Sequence, residues 1–284
     1  MIEINELSFA YKNSKKNSLT DINLVVKDGE FAGIIGESGA GKSTLCNAIN
    51  ALIPHHYQGD FYGSVKINGV DTFETTPGKL AVDVGSVFQD IDSQLVNSFV
   101  DEEIRFGLEN HNYPKAQIEQ KIDSTLDSLG ILSLKNREIS SLSGGQKQKV
   151  AIAAILALEP KIIILDEPTG ELDPASSHEI FSLLKKLNKE KNITIIVVEQ
   201  KIMLLSEFVD RLIVMEEGKI TADSSVRNIL QAPEKLLKQG INCPRVITLV
   251  QQIEKEKLIP SSISDKDKIC ITPKETAKLI RKII

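Results

Sequence analysis

The most constraining feature of this sequence is a glycine-rich stretch between an apolar run (31–35) and a helix-like run (45–53). A strand, a glycine-rich loop and a helix in this order are typical of a phosphate-binding P-loop. The loop consists of Gly36, Glu37, Ser38, Gly39, Ala40, Gly41, Lys42, Ser43 and Thr44. Its backbone N–H groups would point into one concavity at the positive end of the helix dipole. The pattern favours a triphosphate ligand over an ordinary tight turn.

Three side chains of this loop have predicted roles toward a triphosphate. Lys42 would reach the β- and γ-phosphates as a point charge, the Ser43 hydroxyl would bind Mg²⁺, and Thr44 would contact the α-phosphate. The loop therefore predicts both a nucleotide and its metal ion.

Polar groups also follow two other strand-like runs. The run 161–165 ends at Asp166 and Glu167. We expect Asp166 to hold Mg²⁺ through water, and Glu167 to face the γ-phosphate and orient or deprotonate the attacking water. Gln89 ends the run 82–88 and is a candidate Mg²⁺ ligand that senses the γ-phosphate. Two adjacent carboxylates repel each other without a cation, so the pair favours metal binding.

Two further features suggest ligand contacts, each with a structural alternative. Leu142–Gln146 reads Leu-Ser-Gly-Gly-Gln ahead of a predicted helix from about Lys147 to Leu158. Ser143 is placed to cap this helix, and the glycines leave its N–H groups open to an anion, although a simple capped start fits too. Tyr11 ends a strand-like run, where its ring is expected either to stack on a purine or to fill the core.

Composition excludes several classes of protein. The 284 residues are 41% apolar and 26% charged, as in globular proteins, and the apolar runs are too short to cross a bilayer. Met1 directly precedes a strand-like run with no signal peptide, which predicts a cytoplasmic chain. The net charge of −5 argues against a nucleic-acid partner. Cys46, Cys243 and Cys270 are odd in number and widely spaced, which predicts free thiols, and His55-His56 lacks further metal ligands.

The order of the elements predicts an α/β fold. Strand-like runs before the P-loop and at 59–72 predict an antiparallel β layer beside a parallel-sheet core, and residues 99–158 are largely helical. Two amphipathic helices are expected near the C-terminus, the second opened by the capping box Thr272-Pro273-Lys274-Glu275. These helices would either form dimer contacts between tails or pack on the chain's own core.

Taken together, the P-loop, Gln89, Leu142–Gln146, Ile162–Glu167 and Leu172-Asp173 resemble the ATP-binding subunit of ABC transporters. The resemblance covers about residues 1–230. It implies a P-loop NTPase (RecA-like) fold that binds ATP and Mg²⁺, with a helical signature subdomain at about 90–158 and a C-terminal extension at 231–284. It also implies a head-to-tail dimer.

In such a dimer each nucleotide lies between one chain's P-loop and the other chain's signature segment, Leu142–Gln146. By this resemblance, Ser143, Gly145 and Gln146 serve the partner's nucleotide, Tyr11 stacks on adenine, and Asp173 couples the two sites.

A narrower pattern is similar to the ATPases of energy-coupling factor importers, which take up vitamins and cobalt or nickel ions. It comprises Val87-Phe88-Gln89-Asp90, Asp92, Gln94-Leu95-Val96 and Phe106-Gly107-Leu108-Glu109-Asn110. This similarity implies a peripheral subunit at the cytoplasmic face of the membrane. Its partners would be a second ATPase, a transmembrane scaffold protein and a small membrane protein that captures, and so selects, the substrate.

One residue departs from the family pattern, because Val198-Glu199 is followed by Gln200 where the family usually has a histidine. Gln200 keeps a donor but carries neither a transferable proton nor a positive charge. We therefore expect this chain's own ATP site to be slow or regulatory, and a non-identical partner to supply a complete site. The alternatives are a non-catalytic nucleotide-binding module, or an ABC ATPase of DNA repair or translation. The repair type needs a long coiled coil between P-loop and signature, which the sequence lacks.

Overall fold

The computed structural model describes residues 1–256, 258–260, 263 and 270–283, and these residues fold around two sheets. The strands are β1 (Ile2–Tyr11), β2 (Leu19–Val26), β3 (Phe31–Ile35), β4 (Gly59–Ile67), β5 (Val70–Asp71), β6 (Val84–Val87), β7 (Ile162–Asp166), β8 (Thr194–Val198), β9 (Arg211–Glu216) and β10 (Lys219–Ser225).

The helices of the described residues lie mostly between and after the strands of the larger sheet. They are α1 (Lys42–Ile49), α2 (Leu52–His55), α3 (Pro77–Leu80), α4 (Ile91–Gln94), α5 (Val100–Asn110), α6 (Lys115–Ser128), α7 (Gly144–Leu156), α8 (Pro174–Lys191), α9 (Ile202–Phe208), α10 (Val226–Leu230), α11 (Pro233–Lys238), α12 (Arg245–Lys255) and α13 (Pro273–Ile283). None of them is both long and apolar enough to cross a bilayer.

The larger sheet has six strands in the order β10-β9-β3-β8-β7-β6, with β9, β3, β8, β7 and β6 parallel and β10 antiparallel. The unbroken apolar runs of β3 and β8 are buried along their whole length, as central parallel strands require. Alternate residues enter two different core clusters, for example Phe31 in one and Ala32 in the other. Since the carboxyl ends of parallel strands meet at one edge, the sheet brings the predicted site residues together there.

The smaller sheet is antiparallel, in the order β2-β1-β4-β5. It packs in the same core cluster as the helix α1 that follows the P-loop, through residues such as Phe9 and Leu45. The predicted architecture, a parallel-sheet P-loop core with an antiparallel β layer and helices, is confirmed.

Helices α4 to α7 form the helical region between β6 and β7. The stretch predicted to be largely helical, 99–158, contains α5, α6 and α7. The helix predicted from Lys147 begins three residues earlier, at Gly144, because Ser143 and Gln146 form a reciprocal capping box. The sequence indicated the cap by Ser143 but not the returning bond from Gln146.

The open edge of the larger sheet is occupied by a side chain. Strand β6 pairs only with β7 among the described strands, and Gln94 lies along its other side. Gln94 Nε2 donates to the Ser86 carbonyl at 2.9 Å, and its Oε1 accepts from the Phe88 N–H at 2.9 Å. The carboxamide thus makes the two hydrogen bonds that a neighbouring strand would make.

The described part of the C-terminal segment packs on the chain's own core. Ile241 and Ile247 belong to the larger core cluster, while Val250 of α12 packs with Leu279 of α13. The predicted capping box is formed, since the Glu275 N–H donates to Thr272 Oγ1 at 3.3 Å. Packing on the core was one of the two alternatives, and dimer contacts between tails stay a prediction.

Candidate active site

The loop between β3 and α1 closes around the ammonium group of Lys42. Lys42 Nζ donates to the carbonyl oxygens of Gly36 at 2.8 Å and Glu37 at 2.9 Å, and the residue is only 6% exposed. Burial lowers the pKa of Lys42 below its usual value, while the charges of Glu167 and Asp166 act in the opposite direction. The ammonium group therefore lies between the loop and two carboxylates.

Two glycines of this loop are required by the packing of neighbouring strands. A Cβ at Gly36 would lie 2.3 Å from the carbonyl oxygen of Met215. Gly41 has φ of +100°, and a Cβ there would lie 2.5 Å from the carbonyl oxygen of Ser18. The ends of β9 and the turn before β2 thus fix the shape of the P-loop.

The end of β7 provides a group suited to a cation. Burial raises the pKa of Asp166 above its usual range, against the opposing effects of the neighbouring Ser43 hydroxyl and Lys42. Its Oδ1 is buried and has no hydrogen-bond partner among the described residues. Because buried oxygens are normally partnered, this orphaned carboxylate oxygen beside a hydroxyl fits Mg²⁺.

Glu167 is held between two carboxamides. Gln89 Nε2 donates to its Oε2 at 3.2 Å, and Gln200 Nε2 donates to its Oε1 at 2.8 Å. The backbone of Glu167 has φ of +48°, a left-handed conformation that non-glycine residues adopt rarely and often at functional sites. Side chains that follow β6 and β8 therefore orient the Glu167 carboxylate, as expected from the predicted positions of these strand ends.

The signature segment lies at the N-terminus of α7. Ser143 Oγ accepts from the Gln146 N–H at 3.4 Å, and Gln146 Oε1 accepts from the Ser143 N–H at 3.0 Å. A Cβ at Gly145 would approach Ser176 of α8 to 3.4 Å. In the isolated chain these residues cap the helix, as the structural alternative expected, and their role toward a partner's nucleotide stays a prediction.

Asp173 caps helix α8. Its Oδ1 accepts from the N–H groups of Ala175 at 2.9 Å and Ser176 at 3.1 Å. The Ser176 hydroxyl also donates to Asp173, and this bond is the main reason that the pKa of Asp173 is lowered. The cap fixes the position of the Asp173 carboxylate. The coupling of two sites across a dimer stays a prediction.

Tyr11 lies beside the P-loop helix. Its hydroxyl is 3.2 Å from Thr44 Oγ1, and its ring packs edge-on against Phe9 with centroids 4.9 Å apart. The residue is half-buried. This position is close to the loop predicted to hold the phosphates, and adenine stacking by Tyr11 stays a prediction.

The C-terminal segment also reaches this site, which the sequence did not indicate. A Cβ at Gly240, whose φ is +69°, would lie 1.8 Å from Glu37 Oε1. A cavity of about 380 Å³ is lined by P-loop residues, by Gln200 and by the turn that includes Gly240 and Asn242. The positive φ of Gly240 favours glycine here, and any larger side chain would also displace the flexible end of Glu37.

The structure brings together six of the predicted site residues: Lys42, Ser43, Gln89, Asp166, Glu167 and Gln200. Sequence reasoning missed two residues next to Gln200, namely Glu199 and Lys201, which bind the segment after β7. In the sequence these two residues look like ordinary charged residues at a strand end, so no signal pointed to their role.

A P-loop lysine facing an Asp-Glu pair at a parallel strand end defines the class of protein, a P-loop enzyme that hydrolyses a nucleoside triphosphate. Residues 19–170 match a family model described as ABC transporter. An ABC transporter ATP-binding protein of Pyrococcus horikoshii is 39% identical over 269 residues, which cover 95% of each chain. A Pyrococcus abyssi relative with the same description is 40% identical over 99% of each chain. The chain belongs to the ABC transporter family, as the ATP-binding cassette and ATPase that powers transport.

Solved structures agree with this assignment. The chain is similar to cbiO1 from Clostridium perfringens, part of the ABC transporter complex cbiONQ, with a TM-score of 0.75, 33% identity, and coverage of 88% of this chain and 98% of that one. It also resembles the dimeric cassette MJ0796, with a TM-score of 0.70, 32% identity, and coverage of 80% and 99%. A further MJ0796 dimer, bound to ADP and Pi, has a TM-score of 0.69, 30% identity, and the same coverage of 80% and 99%. Cassettes of this family thus bind adenine nucleotides and dimerise.

Proposed function

We propose that this chain is an ATPase subunit of an energy-coupling factor importer for vitamins or transition-metal ions, at the cytoplasmic face of the membrane. The similarity to cbiO1, a cassette that is part of a transporter complex, carries the proposal. The local pattern from Val87 to Asn110 supports it independently. We further propose a cassette domain at 1–230 with its helical signature subdomain at about 90–158, and an extension at 231–284 with contacts to a partner's tail.

The proposed membrane partner would dock on the helical region. The segment after the Gln89 loop exposes apolar side chains, with Val96 67% and Phe106 50% exposed. Exposed apolar side chains of this kind suit the cytoplasmic helices of a transmembrane scaffold protein. A substrate-capturing membrane protein would complete the importer and choose the substrate.

The proposed chemistry is phosphoryl transfer from ATP to water. Lys42 and the backbone of Gly36–Thr44 hold the phosphates, and Glu167 orients the attacking water or accepts its proton. Ser43, Gln89 and Asp166 would hold Mg²⁺, which neutralises charge on the phosphates when bound. Ser143, Gly145 and Gln146 would close the partner's site, with Asp173 coupling the two sites and Tyr11 against adenine.

Isolation of the assembly from membranes tests the importer proposal. A tagged form of the full chain, extracted in mild detergent, is expected to co-purify with a second ATPase, a scaffold protein and a small membrane protein. A two-domain exporter, a ribosome or DNA as the main partner would contradict the proposal. A form lacking the tag is the control.

Gln200 favours a second candidate, a nucleotide-binding module whose partner does the catalysis. Its carboxamide binds Glu167 as a neutral donor and supplies no positive charge near the phosphate. We propose that the site is slow for this reason.

Replacing Gln200 with His is expected to raise ATP turnover at least tenfold, because one lost transition-state contact typically costs about 10²-fold. Turnover is measured in the assembled complex beside the wild type. Gln117→His, at an exposed position of α6, is the control. An unchanged rate in Gln200→His would contradict the slow-site proposal.

A further inference from the structure

Consecutive residues at the end of β8 all bind the segment that follows β7. Gln200 donates to Glu167, as described above. Glu199 is 1% exposed, and its Oε1 accepts from the N–H of Thr169 at 3.0 Å and from the Thr169 hydroxyl. Its Oε2 accepts from the N–H groups of Gln200 at 3.2 Å and Lys201 at 3.4 Å. The buried carboxylate therefore fixes both loops to each other.

Of these three residues, Lys201 contacts the part of the segment that lies farthest along the chain from β7. Its Nζ donates to the Thr169 carbonyl and lies 3.4 Å from the Leu172 carbonyl and 3.5 Å from Ser177 Oγ. No carboxylate lies within ion-pair distance of this ammonium group in the part of the chain that the structure describes. All three acceptors are neutral, and two of them are backbone carbonyls that bracket Gly170 and Glu171. Because the Lys201 ammonium group binds neutral acceptors, it fixes a loop and does not balance a negative charge.

We propose that Lys201 is a positioning residue for ATP hydrolysis: it holds the loop that ends in Leu172 and Asp173 at a fixed place relative to the Gln200–Glu167 contact. Glu167 and Asp173 stand at the two ends of this loop, and Lys201 binds its middle. Asp173 is exposed at the start of α8, so this loop connects the hydrolysis site with the surface of the chain. The inference uses the proposed roles of Glu167 and Asp173 but not the importer assignment.

The geometry predicts which kinetic quantity changes. Lys201 contacts neither the P-loop nor Lys42 in the bonds described above, so nucleotide binding should be unaffected when Lys201 is lost. The loop after β7 carries Glu167, so the turnover number should fall. A residue that served only the stability of the fold would alter binding and turnover together.

The test compares Lys201→Met, which keeps the length of the side chain without its donors, with Lys201→Arg, which keeps donors and charge. We expect kcat for ATP to fall about tenfold in Lys201→Met, ATP affinity to change less than twofold, and Lys201→Arg to keep at least half of the wild-type kcat. Lys161→Met removes an ammonium group from an exposed side chain just before β7 and should change neither quantity. All variants are measured as full chains in the assembly that wild type forms.

A second readout does not depend on turnover. Hydrogen exchange of the amides at 169–173 should be faster in Lys201→Met than in wild type or Lys161→Met, because local opening follows the loss of fixed contacts. Should Lys201→Met fail to fold, Lys201→Gln, which is too short to reach both carbonyls, carries the same expectation.

An unchanged kcat together with unchanged exchange in Lys201→Met would overturn the proposal. Equal losses of kcat and ATP affinity in the Met and Arg variants would also overturn it, since they indicate a purely structural residue. Either result leaves the importer proposal intact, because that proposal depends on partners.

Discussion

Replacing Glu167 with Gln is expected to lower ATP turnover at this chain's own site by about 10²- to 10⁴-fold, the usual contribution of a positioned general base. The substitution keeps the size of the side chain but removes the charge that accepts or directs the proton of the attacking water. It also places an amide against the donors of Gln89 and Gln200, which now compete for one carbonyl oxygen. ATP binding should persist, because Lys42 and the P-loop are untouched.

Turnover and ATP affinity are both measured for Glu167→Gln in the assembled protein. Glu171→Gln changes an exposed carboxylate on the same loop and should leave turnover near the wild-type value. If Glu167→Gln has no effect while the equivalent change in the partner ATPase abolishes turnover, the chain is a nucleotide-binding module. A large loss in both cases would identify it as a working motor.

Replacing Lys42 with Met is expected to weaken ATP affinity by about 30- to several thousand-fold. Truncating one partner of a buried charge pair typically costs about 2–5 kcal/mol, and each 1.4 kcal/mol is a factor of ten in affinity. The reason is that the Lys42 ammonium group is buried. Among the described residues of the loop from Gly36 to Thr44, no other cation could take its place. Methionine fills the same space, so the fold should be kept.

Equilibrium binding of ATP to purified Lys42→Met checks this expectation, with thermal unfolding measured on the same sample. Lys66→Met, on the exposed face of β4, is the control and should bind ATP normally. Wild-type affinity in Lys42→Met would mean that the nucleotide binds away from the P-loop.

The parts of the site that follow from local sequence were predictable. A strand, a glycine-rich loop and a helix are contiguous, so the position of Lys42 needed no tertiary information. The meeting of Gln89, Glu167 and Gln200 followed from the rule that parallel strands end at one edge of the sheet. That rule gives proximity but not the hydrogen bonds, and the structure adds that Glu167 is shared by both carboxamides.

The parts that depend on distant contacts were not predictable. The approach of Gly240 to Glu37 joins residues about 200 positions apart, and an isolated glycine in a polar stretch gives no sign of its neighbour. Glu199 and Lys201 read as ordinary charged residues at a strand end, because a buried carboxylate bonded to backbone N–H groups has no sequence signature. The role of Ser143 toward a partner's nucleotide depends on a second chain, so the fold of one chain does not contain it.

The carboxamide of Gln94 has a consequence for solubility. A sheet that ends on a bare strand offers unsatisfied backbone groups to any passing peptide and so invites intermolecular pairing. Here Gln94 already binds the Ser86 carbonyl and the Phe88 N–H, so these two groups are closed to foreign backbone. Gln94 thereby leaves one donor and one acceptor fewer at this edge for intermolecular strand pairing.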